Sequence, residues 1–387
     1  MKIFLPTLYK KTNSGSIQYW TTYVRSTPNP DVGLEHAEIW TEFGHVDTKN
    51  PQMTHDLVSD GKNTGKKNAT TPFQQAEKEA RSKWQKQIDS GYVNSIEKAE
   101  AGETSRSGVE CMLAHEYGYL LNDIFYPDQA KKAKFPAALQ PKLDGIRSPT
   151  ATDGTLKSRE HKPINSVPHI PAELARLDLV LIGPDGELYN HEYKEDFEKI
   201  TSIVNKKNEV DSNHTIVQYH IYDLSITTMG FSDRQELLKS KIPADHPFLK
   251  VVPTHIVNNH EEIVAWLKHY RALGYEGVMV RNLDSPYEGK RSYNLLKFKE
   301  FFEEEFEIVS YKEGRGKLQG HLGAWICKCG DKTFDPPMKC SQARKKELWE
   351  TKEQFIGKKL TVRFQGYTAK NKVPRFPEGI RFREEGF

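Results

Sequence analysis

The chain has 387 residues, of which 36% are hydrophobic and 28% are charged. This length favours two or three domains, and the composition is typical of a globular protein in water. Because no apolar run approaches the roughly 18 residues that span a bilayer, and the first residues lack the apolar region of a signal peptide, we expect a cytoplasmic protein with no membrane partner.

The formal net charge of +3 is unevenly distributed. The number of Lys and Arg residues equals the number of Asp and Glu residues in 1–105, is two lower in 106–300 and is five higher in 301–387. A basic C-terminal region favours a polyanionic partner such as nucleic acid. Five excess charges are also common on ordinary protein surfaces, so the charge supports this interpretation without establishing it.

Residues 1–105 are predicted to form a separate small α+β module. Residues 17–24 and 38–46 alternate as strands do, and 72–88 have the apolar spacing of a helix that opens with proline. Residues 60–71 are rich in Gly, Lys, Asn and Thr, which indicates an exposed loop carrying the cations Lys62, Lys66 and Lys67.

Residues 106–300 are expected to form a mixed sheet flanked by helices, and residues 301–387 a small five-stranded barrel with one helix. A polar linker is predicted at 97–107. The predicted elements that follow are helices at 109–125, 171–177, 260–273 and 341–355, strands at 179–182, 277–280, 306–311, 324–327 and 360–364, and a turn at 184–186.

Lys142 is the first candidate for chemistry. It ends an apolar stretch and is followed by Asp144-Gly145, a tight-turn signal, and then by Arg147. This places a lysine at a strand end that opens onto a cleft. A free lysine has a pKa of about 10.4, so neighbouring cations or desolvation must lower that pKa before the amine can act as a nucleophile.

The cysteines give a weaker signal. Cys327, Cys329 and Cys340 lie near His321, but they lack the Cys-x-x-Cys spacing that is typical of zinc knuckles. We interpret them as reduced thiols in preference to a metal site.

From Lys142 onward, the chain carries a series of motifs in fixed order: Lys142-Leu-Asp-Gly-Ile-Arg147, Ser158-Arg159, Asp185-Gly-Glu187, Ile221-Tyr222-Asp223, Glu276-Gly-Val-Met-Val-Arg281, Lys297-Phe-Lys299 and Arg375-Phe-Pro. In this series the chain resembles the covalent nucleotidyltransferases, most closely the small viral ATP-dependent DNA ligases. The resemblance covers residues 135–387. It implies a nucleotidyltransferase domain of ATP-grasp-like mixed sheets followed by an OB-fold barrel, and together with the N-terminal module this gives an α+β protein with domains at 1–105, 106–300 and 301–387.

The resemblance also implies a role for each matching residue. Lys142 is the lysine that becomes adenylylated, and Arg159 binds the 5′-phosphate at a nick. Glu187 and Glu276 bind the metal, Mg²⁺ or Mn²⁺, and Glu187 also holds the ribose. The residues implied to bind ATP are Arg147, Glu187, Tyr222, Glu276, Lys297, Lys299, Arg375 and Arg383. The implied partner is nicked double-stranded DNA, bound by a monomer in the cytoplasm, which is the host cytoplasm if the protein is viral.

Three features depart from the family pattern. Gln140 stands two residues before the lysine, where many ligases have Glu. The barrel loop at 313–320 is short, so full encirclement of DNA is not expected, and the N-terminal module is predicted to help grip the DNA instead. That module is similar to a WGR domain at Phe43-Gly44-His45, but Phe43 and His45 replace the Trp and Arg of that signature, and a structural cap with no ligand remains an alternative.

Four other functions can be compared with a DNA ligase. A messenger-RNA guanylyltransferase shares Lys-x-Asp-Gly and the barrel, but the Arg375-Phe-Pro ending favours a ligase. That ending also argues against most RNA ligases. An NAD-dependent ligase is disfavoured because its zinc finger and helix-hairpin-helix repeats are missing. A DNA-binding protein on an inactive scaffold is disfavoured because every charged motif residue is present.

Overall fold

A computed structural model describes residues 1–12, 14–28, 35–104, 110–194, 196–207, 209–315, 318–368 and 371–383. The chain divides into two units, Met1–Ser107 and Gly108–Phe387. None of the helices that the model describes is both long and apolar enough to cross a bilayer.

The first unit is one antiparallel sheet covered by a helix. Its strands are β1 (Lys2–Phe4), β2 (Leu8–Lys11), β3 (Ile17–Pro28), β4 (Glu35–His45) and β5 (Gln52–Val58), in the order β1-β3-β4-β5 with β2 also pairing with β3. Helices α1 (Pro72–Asp89) and α2 (Ile96–Glu100) follow. Ala76 and Ala80 of α1 pack onto Val24 and Ile39 of the sheet. The two strands, the exposed loop and the long helix predicted for this region are confirmed.

The second unit contains a four-stranded sheet and a ten-stranded sheet. The four-stranded sheet consists of β9 (Ile146–Pro149), β10 (Pro184–Tyr189), β11 (Gln218–Leu224) and β12 (Leu249–Val251). The strands lie in the order β12-β11-β10-β9. Its helices are α3 (His169–Arg176), α4 (Phe197–Val204) and α5 (Phe231–Lys241). The apolar core of this region includes Leu174, Ile200 and Leu238 from these three helices.

The ten-stranded sheet contains the strand that carries Lys142 and continues into the barrel. It consists of β6 (Leu113–Leu121), β7 (Ile124–Pro127), β8 (Ala137–Lys142), β13 (His255–Val257), β14 (Gly277–Asn282), β15 (Arg291–Glu313), β16 (Leu322–Cys329), β17 (Lys332–Phe334), β18 (Lys359–Phe364) and β19 (Glu378–Phe382). Helix α6 (His260–Ala272) packs on it, and α7 (Gln342–Glu350) lies beside the barrel. The predicted α+β class, with a mixed sheet flanked by helices and followed by a barrel, is confirmed.

Strand β15 connects the two regions because it is 23 residues long. Its first part pairs with β14 and β6, and its second part pairs with β18 and β16. One continuous strand therefore runs from the residues beside Lys142 into the barrel core.

The helix predicted at 109–125 is wrong. The described residues of this stretch form β6 and β7, an antiparallel hairpin that turns at Asn122 and Asp123, whose φ angles are 50° and 64°. Such left-handed pairs are typical of tight hairpin turns. Strand β6 also pairs in parallel with β15, a long-range contact that local periodicity does not reveal.

Two further predictions are wrong in the same region. Residues Val180–Ile182 form a 3-10 turn instead of a strand, and Leu181 is 87% exposed. The predicted turn at 184–186 is the start of β10, where Asp185 is fully buried between β9 and β11. The chain therefore places Asp185 in the buried strand and leaves Leu181 exposed before it.

Two other boundaries need smaller corrections. Part of the predicted linker is helical, since Ser95 caps α2 and Ala99 is buried; residues 105–107 of the linker lie outside the described part. The helix predicted at 341–355 ends as α7 at Glu350 and continues as a 3-10 turn over Lys352–Phe355. The helices predicted at 171–177 and after Asn259, and the strands predicted at 277–280, 306–311, 324–327 and 360–364, are confirmed.

Candidate active site

Three adjacent strands bring two lysines and a glutamate together. Gly277 of β14 lies opposite Lys142 of β8 on one side and opposite Lys299 of β15 on the other. The backbone N–H of Glu276 donates to the carbonyl of Lys142 at 3.1 Å, which fixes Glu276 beside the end of β8. A Cβ at Gly277 would lie 2.3 Å from the carbonyl oxygen of Phe298, so this crossing requires glycine.

The carboxylate of Glu276 contacts both ammonium groups, those of Lys142 and Lys299. Burial would raise the pKa of Glu276, but the two lysines outweigh burial and hold the pKa below its ordinary value. Burial lowers the pKa of Lys299, and the nearby charge of Lys142 adds to this effect against the opposing attraction of Glu276. Lys299 is therefore the more acidic of the two ammonium groups.

The lowered pKa that nucleophilic attack by Lys142 requires is not found in this arrangement. Burial acts in that direction, but the carboxylates of Glu276, Glu187 and Asp144 outweigh it, and the pKa of Lys142 lies above its ordinary value. Without a substrate in the site, Lys142 is an ammonium held by carboxylates. The amine becomes nucleophilic only after these carboxylates have other cationic partners.

The loop after Lys142 is packed closely against β10. A Cβ at Gly145 would meet the carbonyl oxygen of Leu188 at 2.6 Å and the side chain of Glu187 at 2.7 Å. Glycine at this position therefore permits close approach between the loop after Lys142 and β10. In the same sheet Glu187 lies opposite Arg147. Burial raises the pKa of Glu187 to about 7, against the attraction of Lys142 and Arg147.

A cavity of about 340 Å³ opens beside Lys142. Seven of the ten predicted site residues line it: Lys142, Arg147, Arg159, Glu187, Tyr222, Lys297 and Lys299. Glu276 touches two of these lysines directly. The cavity is thus lined by five cationic side chains from the predicted set, with an aromatic ring among them, which suits a phosphate-bearing molecule with a planar base.

Gln140, Tyr222 and Arg281 form a fixed group in this lining. The Gln140 amide donates to the carbonyl of Tyr222 at 3.1 Å, and its oxygen accepts from Arg281 at 2.9 Å. Arg281 is in turn bound at 2.7 Å by the fully buried Asp223. The orientation of Gln140 is therefore set by its neighbours, with its two donors and one lone pair already in use.

Arg159 lies in a tight turn between Ser158 and Lys162. The Ser158 hydroxyl oxygen accepts from the backbone N–H groups of Glu160 and Lys162, both at 3.2 Å. His161, which follows, has a φ of 62°. This hydrogen-bonded turn carries Arg159, which lines the cavity.

Arg375 reaches the catalytic loop from the barrel, where its guanidinium binds Asp144 at 2.7 Å. Arg383 is the predicted residue that the structure does not bring to the cavity. It is more than half exposed and pairs with Glu305 at 2.7 Å on the barrel. Its predicted role in ATP binding stays a prediction.

Sequence reasoning missed several lining residues and one buried carboxylate: Leu113, Ala114, Met279, Arg281, Arg291 and Asp185. Arg281 and Met279 lie inside a motif that was used only for Glu276. Leu113 and Ala114 enter the cavity because β6 pairs with β15, so the wrong helix prediction concealed them. Lys297 lines the cavity while bound to Glu116 of the same strand β6 at 2.7 Å.

Two family models match the chain. Residues 119–299 match the ATP-dependent DNA ligase domain, and residues 313–383 match the DNA ligase OB-like domain. The chain belongs to the ATP-dependent DNA ligases. A DNA ligase of African swine fever virus (isolate Tick/South Africa/Pretoriuskop Pr4/1996) is 28% identical over 98% of this chain and 94% of its own length. The DNA ligase of Enterobacteria phage T4 is 27% identical over 43% of this chain and 37% of its own.

Solved structures show the same fold. A chain from a structure–function study of Lig E DNA ligases superimposes with a TM-score of 0.58 at 24% identity, covering 70% of this ligase and 98% of that chain. A structure titled Pmar-Lig_PreS3 gives a TM-score of 0.56 at 23% identity, covering 69% of this ligase and 67% of that chain. The ligase therefore combines the family's nucleotidyltransferase and OB-fold domains, as expected from its ordered motifs.

Proposed function

We propose that this ligase seals nicks in double-stranded DNA, with Lys142 as the residue that carries AMP. The observation that supports this role is the position of Lys142, at a strand end in the wall of a cavity that four other cationic side chains of the predicted set also line, and in contact with Glu276. ATP use and action on DNA follow from the family. The residue roles, the nicked substrate and the metal are proposals.

The chemistry consists of two transfers of an adenylyl group, from ATP to Lys142 and from Lys142 to the DNA, followed by one displacement at the phosphorus of the DNA 5′-phosphate. The neutral amine of Lys142 attacks the α-phosphorus of ATP, so that a P–N bond forms and the bond to pyrophosphate breaks. The 5′-phosphate at the nick then attacks the same phosphorus and releases Lys142. Finally the 3′-hydroxyl attacks the 5′-phosphate, loses its proton, and expels AMP. Each step is a displacement at phosphorus, which enzymes accelerate mainly by positioning and charge stabilisation.

The side chains of the cavity divide into three roles. Lys297, Lys299 and Arg375 stabilise charge on the phosphates, while Tyr222 stacks on adenine beside Arg147. Arg159 receives the 5′-phosphate of the nick. Arg383 is proposed to approach ATP only after a movement of the barrel, because its present partner is Glu305.

Two carboxylates fit a divalent metal ion. Glu187 and Glu276 flank Lys142, and the raised pKa of Glu187 indicates a buried carboxyl group whose charge is incompletely compensated. The described residues contain no group of three or more His, Cys, Asp or Glu side chains placed to hold a metal ion. Mg²⁺ commonly needs only one or two carboxylates, with phosphates and water completing its shell. When bound, such an ion would neutralise phosphate charge and compete with Lys142 for these carboxylates.

The partner and setting are proposed from charge and composition. The C-terminal excess of cations, together with Lys62, Lys66 and Lys67 of the first unit, suits the phosphates of duplex DNA. We expect little base-sequence preference because no base-reading motif is apparent.

A single copy of the chain supplies the whole cavity, so a monomer is sufficient. The free thiols of Cys111, Cys327, Cys329 and Cys340 are compatible with a reducing cytoplasm.

The domain boundaries 1–105, 106–300 and 301–387 and the WGR-like character of the first domain also remain proposals. The change from β14 and β6 pairing to β18 and β16 pairing along β15 supports a boundary between nucleotidyltransferase and barrel near residue 300.

The test is a labelling experiment with α-labelled ATP and Mg²⁺, using wild type, Lys142→Ala and the control Lys239→Ala, whose lysine is exposed on α5. We expect a labelled band in wild type and control that vanishes in Lys142→Ala and transfers to nicked DNA. A label that persists in Lys142→Ala contradicts the assignment. Labelling with GTP instead of ATP would indicate a guanylyltransferase. Pretreatment with pyrophosphate removes any AMP already bound by the purified protein.

A further inference from the structure

Asp185 is a buried residue next to the cavity. Its carboxylate oxygens accept hydrogen bonds from three different side chains. It is fully buried in β10, two residues before Glu187. The guanidinium of Arg147 donates to it twice, at 3.1 and 2.6 Å. The Tyr222 hydroxyl donates at 3.3 Å and the Tyr287 hydroxyl at 2.8 Å. Four hydrogen bonds to one carboxylate saturate its acceptor sites.

The contacts extend to the segment before β6. The backbone N–H of Met112 donates to the Tyr287 hydroxyl oxygen at 3.1 Å, and the Met112 carbonyl accepts from Arg147 at 2.7 Å. Met112 is 1% exposed, and the next two residues, Leu113 and Ala114, line the cavity. Asp185, Arg147, Tyr222, Tyr287 and Met112, here called the Asp185 cluster, therefore join five segments of the chain at the edge of the site.

The cluster limits what Arg147 can do. A guanidinium has five N–H donors, and three of those of Arg147 are used by Asp185 and Met112. Two remain for a ligand in the cavity. The Tyr222 ring is constrained in the same way, because its hydroxyl is bound at one end while the ring lines the cavity. A phenylalanine would keep the ring but lose this attachment.

We propose that Asp185 is a positioning residue that fixes Arg147 and the Tyr222 ring against the nucleoside of ATP, and that Tyr287 transmits the same constraint to the Met112–Ala114 wall. The inference rests on the proposed binding of ATP in this cavity. Asp185 does not touch the reacting atoms. It acts by removing freedom from groups that do touch the nucleotide, since a preorganised site loses less entropy on binding.

The experiment measures single-turnover adenylylation of full-length protein over a range of ATP concentrations, which separates the KM for ATP from the rate at saturation. The variants are Tyr222→Phe, Tyr287→Phe and the double variant. The matched control is Tyr270→Phe, because the Tyr270 hydroxyl is bonded to His255 at 2.8 Å and lies outside the cavity lining. Thermal unfolding and the total fraction adenylylated report whether each protein is folded.

We expect Tyr222→Phe and Tyr287→Phe each to raise the KM for ATP by about tenfold, the low end of the effect of losing a hydrogen bond to a charged group, because these hydroxyls do not contact ATP themselves. The rate at saturating ATP should change much less. Because both hydroxyls act through Asp185, the double variant should raise the KM by less than the product of the single effects. Tyr270→Phe should keep the wild-type KM.

Asp185→Asn should produce a larger rise in the KM, since the amide cannot accept four bonds. If this variant fails to fold, the tyrosine variants decide. Wild-type KM values in both folded tyrosine variants overturn the inference. A lower adenylylated fraction with an unchanged KM also overturns it, because that result indicates a purely structural role. Absence of adenylylation in the wild type would contradict the proposed function itself. That outcome is distinct from a failure of the Asp185 inference, in which the wild type is adenylylated and the variants keep its KM.

Discussion

The ammonium of Lys142 and the carboxylate of Glu276 are in direct contact, and the same carboxylate binds Lys299. One acidic side chain thus holds two cations that come from β8 and β15, the strands on either side of β14. Since a protonated lysine cannot attack phosphorus, this contact stabilises an unreactive form of the proposed nucleophile. A substrate complex must supply other cationic partners to Glu276 before Lys142 can lose its proton and attack.

The first prediction concerns the reactivity of Lys142 before ATP binds. Because its pKa is raised, Lys142 should react with an amine-modifying reagent more slowly at pH 8 than exposed lysines of the same protein, and its reactivity should rise about tenfold per pH unit below its pKa. Glu276→Gln removes the largest attraction and should increase that reactivity at fixed pH. Peptide mass spectrometry measures both. Equal reactivity of Lys142 in wild type and Glu276→Gln would contradict the electrostatic explanation.

The second prediction separates the two arginines of the barrel. Arg375 binds Asp144 of the catalytic loop, whereas Arg383 pairs with Glu305 away from the cavity. We expect Arg375→Ala to slow adenylylation by about 10² or more, the usual effect of losing a charged group that stabilises a transition state. Sealing of a nick that already carries AMP should change little. Stopped-flow or quench measurements of the two half-reactions check this.

Arg383→Ala is the comparison for this experiment. If Arg383 keeps its present position during adenylylation, its loss should leave the rate near that of wild type. A large decrease would support the motif-based prediction for Arg383 and would require the barrel to move before ATP reacts. A slowed sealing step in Arg375→Ala would contradict the division of roles between the half-reactions.

The third prediction concerns the lysines of the first unit. Lys66 and Lys67 lie in the exposed loop between β5 and α1. If they contact DNA phosphates, Lys66→Ala/Lys67→Ala should weaken nick binding and reduce the slope of log affinity against log salt by up to about 1.8, or 0.9 per contact. Adenylylation should be unchanged. Anisotropy titrations with nicked duplex at several salt concentrations provide the measurement.

The control for this experiment neutralises two exposed lysines at the end of α5, Lys239 and Lys241. It changes the net charge equally but leaves the loop intact. Equal losses of affinity in both double variants would indicate a general charge effect. No loss in either would contradict a DNA contact by the loop.

The motif residues were predictable because their chemistry is local. Gly145 lies where the loop after Lys142 approaches β10 too closely for a Cβ, and Gly277 lies where β14 pairs with β15 too closely for one. The glycine in each motif is therefore required by the local geometry. Helix limits were also predictable where a cap was present, as at Asn259, whose side chain accepts from Glu262.

The failures have a different physical origin. Strand β6 is stable because it pairs with β15, whose paired residues lie more than 170 positions later, and its own sequence does not encode that partner. Asp185 was placed in a turn because Pro-Asp-Gly is a turn signal, yet four hydrogen bonds hold it in a buried strand. Long-range pairing and a charged network outweigh local propensity at both positions, and both adjoin the active site.

The last prediction concerns stability in acid. Burial lowers the pKa of His220 to about 3, and the nearby Lys250 acts in the same direction. An unfolded histidine has a pKa near 6.5, so the unfolded chain binds a proton that the folded chain excludes. The stabilising contribution is therefore complete above about pH 6.5 and is lost as the pH falls from 6.5 towards 3. Within this window each pH unit lowers the free energy of unfolding by at most about 1.4 kcal/mol.

Glutamine does not bind a proton in this pH range. His220→Gln should therefore make the urea midpoint of the second unit less dependent on pH between about 6.5 and 4. Glutamine can retain a contact with Gln218, whose side-chain oxygen lies 3.0 Å from the His220 ring. The control is His45→Gln at the end of β4 in the first unit. Because carboxylates also gain protons in this range, the comparison uses the difference between variant and wild type at each pH. A parallel decline in wild type and His220→Gln would show that His220 does not cause the acid sensitivity.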